Sequence, residues 1–377
     1  MTHKEYLELL ISPLANEGGG GGTPAVLIDK NISANGTYNA VNDSADGYKT
    51  VVVDVQPDLQ AKSVTITENG ETTVAPDQGK DGLSGVAITV NVQSGGGNTA
   101  AMILNKSITG VFRDTEVTQI PDNGLSRQTG MTALELPNCA SVGANGLFDC
   151  SALKDVILNN CTSFTSPTFD GNNNQVLAIE RLILPKLVTM NWGYGTMPKL
   201  KELYLPLLES MGDNNIQAKS GTTTRNTTLL TAELPSIKTI GQYNFQNCYM
   251  LQALKFGPAI TAIGAAVGRY TNSLRAVIFD KDTPAVPSLG SDTTCFTGSN
   301  TKFYVPDALV DTWKGTTNWT VHANRIFALS TIAAWAAGTY AKWDVVTHSG
   351  MYWISQADSN TEEPGPTATN WLYVGAV

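Results

Sequence analysis

Charge is scarce in this chain, and what there is leans one way. Of 377 residues only 15% are charged, and the formal net charge is −9. Nucleic-acid binding needs a basic stripe, so that class is excluded. Long apolar runs are missing too. None reaches the ~18 residues of a membrane span, so no membrane partner is expected. Histidine occurs only as His3, His322 and His348, and there is no Cys-x-x-Cys. That leaves no ligand set for a zinc cluster, and no metal or cofactor is expected. Five cysteines is an odd number, which rules out a complete disulfide framework.

The marks of catalysis are also lacking. There is no G-x-S-x-G, no H-E-x-x-H and no P-loop. A glycoside hydrolase needs two facing carboxylates, and the acidic residues here are scattered among turn-like segments. Gly18 to Gly22 lacks the Lys-Ser/Thr of a phosphate loop. No enzyme is expected. The first residues, Met1-Thr-His-Lys-Glu-Tyr6, lack the basic n-region of a signal peptide, and Tyr6 to Ile11 is too short for an h-region. Delivery without Sec export is therefore the expectation. Low charge with abundant Asn and Thr suits an extended, β-rich extracellular or virion protein.

What the chain does have is a short apolar phrase that returns eight times. It reads Leu134-Glu-Leu136-Pro137, Val156-Ile-Leu158, Leu182-Ile-Leu184-Pro185 and Leu203-Tyr-Leu205-Pro206. It continues as Ala232-Glu-Leu234-Pro235, Leu254-Lys-Phe256, Val277-Ile-Phe279 and Phe303-Tyr-Val305-Pro306. The steps between successive phrases are 22, 26, 21, 29, 22, 23 and 26 residues. A period in that range is the mark of a solenoid. Each repeat places one short strand on a shared parallel sheet, with its Leu-type residues in the core. The residues between them face outwards: Glu135, Ile157, Ile183, Tyr204, Glu233, Lys255, Ile278 and Tyr304. That face is mixed and partly apolar. It is either a protein-binding surface or a surface that is solvated or packed by a neighbour.

A second element recurs between the phrases, as Val142-Gly143…Phe148…Cys150 and Ile240-Gly241…Phe245…Cys248, with Ile263-Gly264 as a truncated form. Cys150 and Cys248 read as small buried residues stacked at one corner. The combination resembles BspA-type leucine-rich repeats. Lys302-Phe-Tyr-Val-Pro306 running on to Trp313, Trp319 and Ile326 resembles that family's terminal repeat, which implies a helix capping the open core. The first repeats, Ile108 to Ile120, and the Asn- and Thr-rich stretch 207–229 depart from the pattern.

Either side of the solenoid the texture changes. Residues 1–24 hold a helical candidate, Glu5 to Ile11, and the Gly18 to Gly22 tether. Residues 25–93 hold two related units, each with an Asn-Gly (Asn35-Gly36, Asn69-Gly70), an Asp-Gly and a closing β-branched strand. These dipeptides suit type I′ hairpins, so each unit reads as a tiny β domain. The words resemble a repeat near the N-termini of tail and other virion proteins of phages. Residues 94–100 form a second Gly-rich linker, 101–329 the solenoid with its cap, and 330–377 a separate module.

That module carries Trp335, Tyr340, Trp343, Tyr352, Trp353, Trp371 and Tyr373. Its order resembles the small carbohydrate-binding modules of families five and twelve, although Trp343 stands where those have Gly. The resemblance assigns Trp335, Tyr352 and Trp371 to the module's core. Trp343, Trp353 and Tyr373 become candidates for an exposed glycan platform, since the C–H face of a pyranose is apolar. In the plainer alternative the module is only a β cap.

The expected fold class is therefore mainly β and modular. It comprises small N-terminal β units, a leucine-rich-repeat solenoid with a parallel sheet, and a small aromatic C-terminal β module. Together the resemblances imply a virion protein such as a tail fibre, binding a host cell-surface glycan or protein. Its N-terminus would attach to other virion proteins, and a homo-oligomer is expected, although no heptads are present to drive one. A structural virion component and a secreted adhesin are the alternatives.

Overall fold

The computed structural model describes strands within 26–104 at the level of the backbone. From 109 it describes the chain to 377, apart from 114–116, 121, 123, 167, 170–176, 192–195, 217–224, 291–294 and 297–299. Side chains are described from residue 110 onwards. The helix and tether expected within 1–24 lie outside the described residues.

In the N-terminal region, Val26–Ile32 pairs in parallel with Thr50–Val55, which pairs antiparallel with Ala101–Leu104. A second, antiparallel sheet runs Gly36–Ala40, Val86–Ser94, Leu59–Glu68, Glu71–Val74. Glu68 lies opposite Glu71 in this sheet, while the Asn69-Gly70 turn expected between them lies outside the described residues. The strands flanking Asn35-Gly36, in contrast, lie in different sheets. The two units are not self-contained: Tyr38 of the first lies opposite Ile88 of the second. The physical reason is the parallel pair. Parallel neighbours need a crossover, and here the intervening strand joins the other sheet. Ala101–Leu104, expected within the solenoid, belongs to the first of these sheets, so the first described solenoid strand is Thr109–Arg113.

The chain divides into two compact units, residues 18–187 with 191–195, and residues 196–377 with 188–190 and 1–17. In the first, Thr109–Arg113, Gly130–Glu135, Asp155–Ile157 and Arg181–Ile183 form a parallel sheet. Phe112, Leu134, Val156 and Leu182 line up across it and are fully buried. A narrow second sheet stacks Ile120, Val142 and Phe164.

The second unit repeats the plan. Thr231–Leu234, Ala253–Phe256, Ala276–Phe279, Lys302–Val305 and Ile326–Ala328 run in parallel. Ala232, Leu254, Val277, Phe303 and Ile326 form one inward column. The narrow sheet sends Met190, Met211, Ile240, Ile263 and Leu289 inwards. Strict alternation across short strands puts every second residue in the core, so the stack is held by neighbour-on-neighbour apolar contact.

The Ile-Gly step has a steric cause. The backbones of adjacent repeats nearly touch there, and a Cβ on Gly264 would lie 2.5 Å from the Gly241 carbonyl carbon. Cys150 and Cys248 are buried as expected, and Cys139, Cys161 and Cys295 are buried as well. Cys150 Sγ donates to the Leu125 carbonyl oxygen at 3.0 Å.

The C-terminal end of the core is sealed as the terminal repeat implied. The short helix Val310–Gly315 and the turn Thr320–Arg325 bury Trp313 and Trp319 completely. Trp313 lies 4.7 Å from the Phe279 ring and 5.6 Å from Trp319, centroid to centroid. The Trp319 indole N–H donates to the Pro287 carbonyl oxygen at 2.9 Å.

Candidate functional site

The C-terminal module is a three-stranded antiparallel sheet, Val345–His348, Met351–Ser355 and Trp371–Ala376. All five residues of its central strand are buried. Successive side chains of a strand point to opposite faces, so both faces must be covered. One face closes on itself around Val346, Met351, Trp353, Trp371 and Tyr373. The other carries Tyr352, Ile354 and Val374, which pack on Ala253, Ala276, Ile278 and Tyr304 of the solenoid sheet. The module is therefore docked on the surface that the repeat pattern marked as outward, the alternative in which that face is packed by a neighbour.

Polar contacts fix the register of that docking. Glu233 accepts from the Tyr373 hydroxyl at 2.8 Å and from the Ala376 backbone N–H at 2.9 Å. Lys255, only 3% exposed, lies 3.6 Å from Glu233 and 3.6 Å from Asp280. Gln252 and Gln356 exchange amide hydrogen bonds of 3.0 and 2.7 Å. A buried charge without partners is costly, so these groups specify one seating of the module. Burial, and secondarily Asp280, pushes the Tyr352 phenol up to about 12. Burial, with Asp344 beside it, does the same to Tyr304. Gly375 sits against this cluster, where a Cβ would meet Lys255 Cδ at 2.3 Å and Glu233 Cδ at 2.9 Å.

Each expected site residue now has a place. Lys255, Ile278 and Tyr304 are buried beneath the module, and Glu233 is half-buried at its edge. Tyr204 is half-buried near Glu233, its phenol raised by burial and then by that carboxylate. Glu135, Ile157 and Ile183 of the first unit are buried too, Glu135 paired with Arg113. The eight positions thus do not form an open face.

The aromatic platform is not assembled either. Trp353 and Tyr373 are 2% and 8% exposed and meet edge to face at 5.8 Å, inside the module's own cluster. Tyr352, expected in that core, faces the solenoid instead. Trp371 is in the core as expected, and Trp335 is half-buried edge-on to His348. Trp343 is half-buried, flanked by the Arg275 guanidinium at 5.0 Å and the Lys342 ammonium at 4.6 Å from its ring centre. Its φ of 78° is left-handed, a region that glycine occupies without cost. Trp343 is a docking residue: its backbone strain is offset by partial burial against the solenoid and by cation–π contact with Arg275.

Among the described residues of the second unit, two stretches of open surface stand out. One is the outer side of the narrow sheet, with Thr189, Thr239 and Ser288 exposed and the Ser210 and Thr239 hydroxyls 3.1 Å apart. The other is the turn edge carrying Arg225, Tyr249, Met250, Arg269 and Tyr270. Sequence reasoning passed over the second. Its signal was present in Cys248-Tyr-Met-Leu251, where two large side chains follow the buried cysteine at a turn.

The geometry defines a solenoid of leucine-rich repeats carrying a docked β module. More particularly, residues 103–189 and 213–302 match the BspA type leucine rich repeat region, in six copies. Over those residues the solenoid is similar to BspA-type repeats. Among curated proteins none matches the chain. Among solved structures it is similar to a leucine-rich repeat protein from Bacteroides ovatus, at 12% identity, covering 74% of this chain and 83% of that one, with a TM-score of 0.19.

Proposed function

We propose that this chain is a non-catalytic attachment protein, carried on a virion and recognising a protein or glycan of a bacterial surface. The observation behind the reading is the docked module. It turns residues 196–377 into one compact unit whose buried charges secure a scaffold and whose open surfaces are turns and hydroxyl-bearing strands. Repeat solenoids offer extended surfaces of this kind for binding. The net charge of −9 argues against nucleic acid as the target. The phage-like N-terminal words support the virion placement, with the N-terminal units contacting other virion proteins.

The test is a pair of measurements on the full chain: binding of labelled protein to intact candidate host cells, and electron microscopy of particles with a tagged C-terminus. Saturable cell binding with the tag projecting from the particle is the expected result. Absence of binding to every host tested would overturn the attachment role. The burial of the solenoid sheet face favours a second reading, a structural virion component such as a head fibre or baseplate spacer. That reading predicts particles with an internal or laterally packed tag and no cell binding.

A further inference from the structure

The second unit is locally basic although the chain is acidic. Between residues 225 and 275 stand Arg225, Lys238, Lys255, Arg269 and Arg275, against a single carboxylate, Glu233. That carboxylate is taken up under the module by Tyr373, Ala376 and Lys255. Two of the arginines lie on the turn edge and share one arrangement. Arg225 stacks over Tyr249, 4.4 Å from the ring centre, and Arg269 over Tyr270 at 4.8 Å. Arg269 also donates to the Tyr270 hydroxyl at 3.0 Å.

These pairs sit side by side, not scattered. The Tyr249 N–H donates to the Asn226 carbonyl oxygen at 2.8 Å, and Asn247 N–H to the Arg269 carbonyl oxygen at 2.9 Å. Consecutive repeats therefore stack Arg225, Tyr249 and Arg269–Tyr270 along one edge. Tyr270 and Met250 are 39% and 40% exposed there. A guanidinium held over a ring has fewer orientations open to it, and its outward N–H groups can pair with a carboxylate, Arg269 through its Nη atoms because its Nε is buried. Tyr, Arg and Met are also the side chains enriched where proteins meet.

We propose that this turn edge is a docking surface for an acidic protein segment, whose carboxylates pair with Arg225 and Arg269 while its apolar side chains cover Met250 and the tyrosine rings. A protein is favoured over an anionic glycan because Met250, an apolar side chain 40% exposed on the same edge, offers a sugar nothing to hydrogen-bond. The proposal rests on the reading of the chain as a binding protein and names its partner surface.

The test uses the full chain and an immobilised random copolymer of glutamate and tyrosine, with dextran sulfate as the competing polyanion. Arg225→Gln/Arg269→Gln is expected to weaken copolymer binding at least tenfold, with an unchanged melting temperature. Lys238→Gln, on the other open surface, is expected to leave it unaltered. Arg225→Lys/Arg269→Lys keeps the charge and loses the planar stack, and should also bind several-fold more weakly. Equal binding by the Gln variant overturns the proposal. So does full retention by the Lys variant, or dextran sulfate competing as well as free copolymer, which would make the edge a general anion or glycan site. If the wild-type chain binds copolymer through this edge yet binds no host cell, the edge stands and the attachment role falls.

Discussion

The phenolic hydroxyl of Tyr373 donates to the Glu233 carboxylate across 2.8 Å, although 140 residues separate the two in the chain. This contact joins the last strand of the module to the first strand of the second unit's wide sheet. It explains why neither residue is available to a partner. Buried hydrogen bonds to charged groups contribute about 1.5–3 kcal/mol. Glu233 keeps Lys255 and the Ala376 N–H when the hydroxyl is lost. Tyr373→Phe should therefore lower unfolding free energy by about 1.5 kcal/mol in denaturant titrations. An unchanged midpoint would mean the contact is dispensable.

Gly375 offers a sharper probe of the same interface. A methyl group there would fall 2.3 Å from Lys255 Cδ and 2.9 Å from Glu233 Oε1. Overpacking of this kind costs about 1–3 kcal/mol. Gly375→Ala should loosen the module's seat, seen as faster proteolytic release of a C-terminal fragment from an otherwise folded chain. Release at the wild-type rate would argue against close packing at this point.

Trp343 separates strain from contact. Both Trp343→Gly and Trp343→Ala remove the stacking on Arg275 and Lys342, but only glycine is relaxed at φ 78°. Glycine should be the more stable of the two by about 1 kcal/mol. Thermal melts of the pair measure this directly, and the reverse order would show that the backbone there adapts freely.

The cap should be acid-sensitive. His322 lies against Phe303 and Trp319, and burial followed by the Arg325 charge lowers its imidazole to about 4 from an ordinary 6.5. Its folded value is below the unfolded one, so protonation favours the unfolded chain. Stability is whole above about pH 6.5 and declines as pH falls through 4, by roughly 2–4 kcal/mol in all. His322→Gln should flatten the fall in melting temperature between pH 7 and pH 4. A slope equal to that of the wild type would assign the acid sensitivity elsewhere.

The thiols should be silent. Desolvation pushes Cys139 up to about 11, and Cys150, Cys161 and Cys248 up to about 12. Reactivity follows the thiolate, so alkylation at neutral pH should be negligible in the native protein and complete after denaturation. Rapid labelling of native protein would contradict the burial of these side chains.

The solenoid was legible because its signal is one-dimensional. Leu134, Val156 and Leu182 recur at a period that only stacking explains, and the Gly241–Gly264 step marks where backbones touch. The cap was legible only through the likeness of the stretch from Lys302 to Ile326 to a known terminal repeat, and the burial of Trp313 and Trp319 gives its physical reason. The strand exchange in the N-terminal region was not legible. Pairing Gly36–Ala40 with Val86–Ser94 spans about 50 residues, and local turn chemistry at Asn35-Gly36 cannot report it.

The outward positions of the solenoid mark where the two levels part. The sequence by itself determined that Glu233, Lys255, Ile278 and Tyr304 lie on the face opposite the core, because alternation along a strand is a local rule. Whether that face meets water, a partner or the chain's own last 48 residues depends on contacts between segments about 100 residues apart, such as Gln252 with Gln356. Only the tertiary structure decided it. The module's central strand has two apolar faces and a single core of its own. The second face had to be buried against something, and the partly apolar solenoid sheet was the surface that matched it.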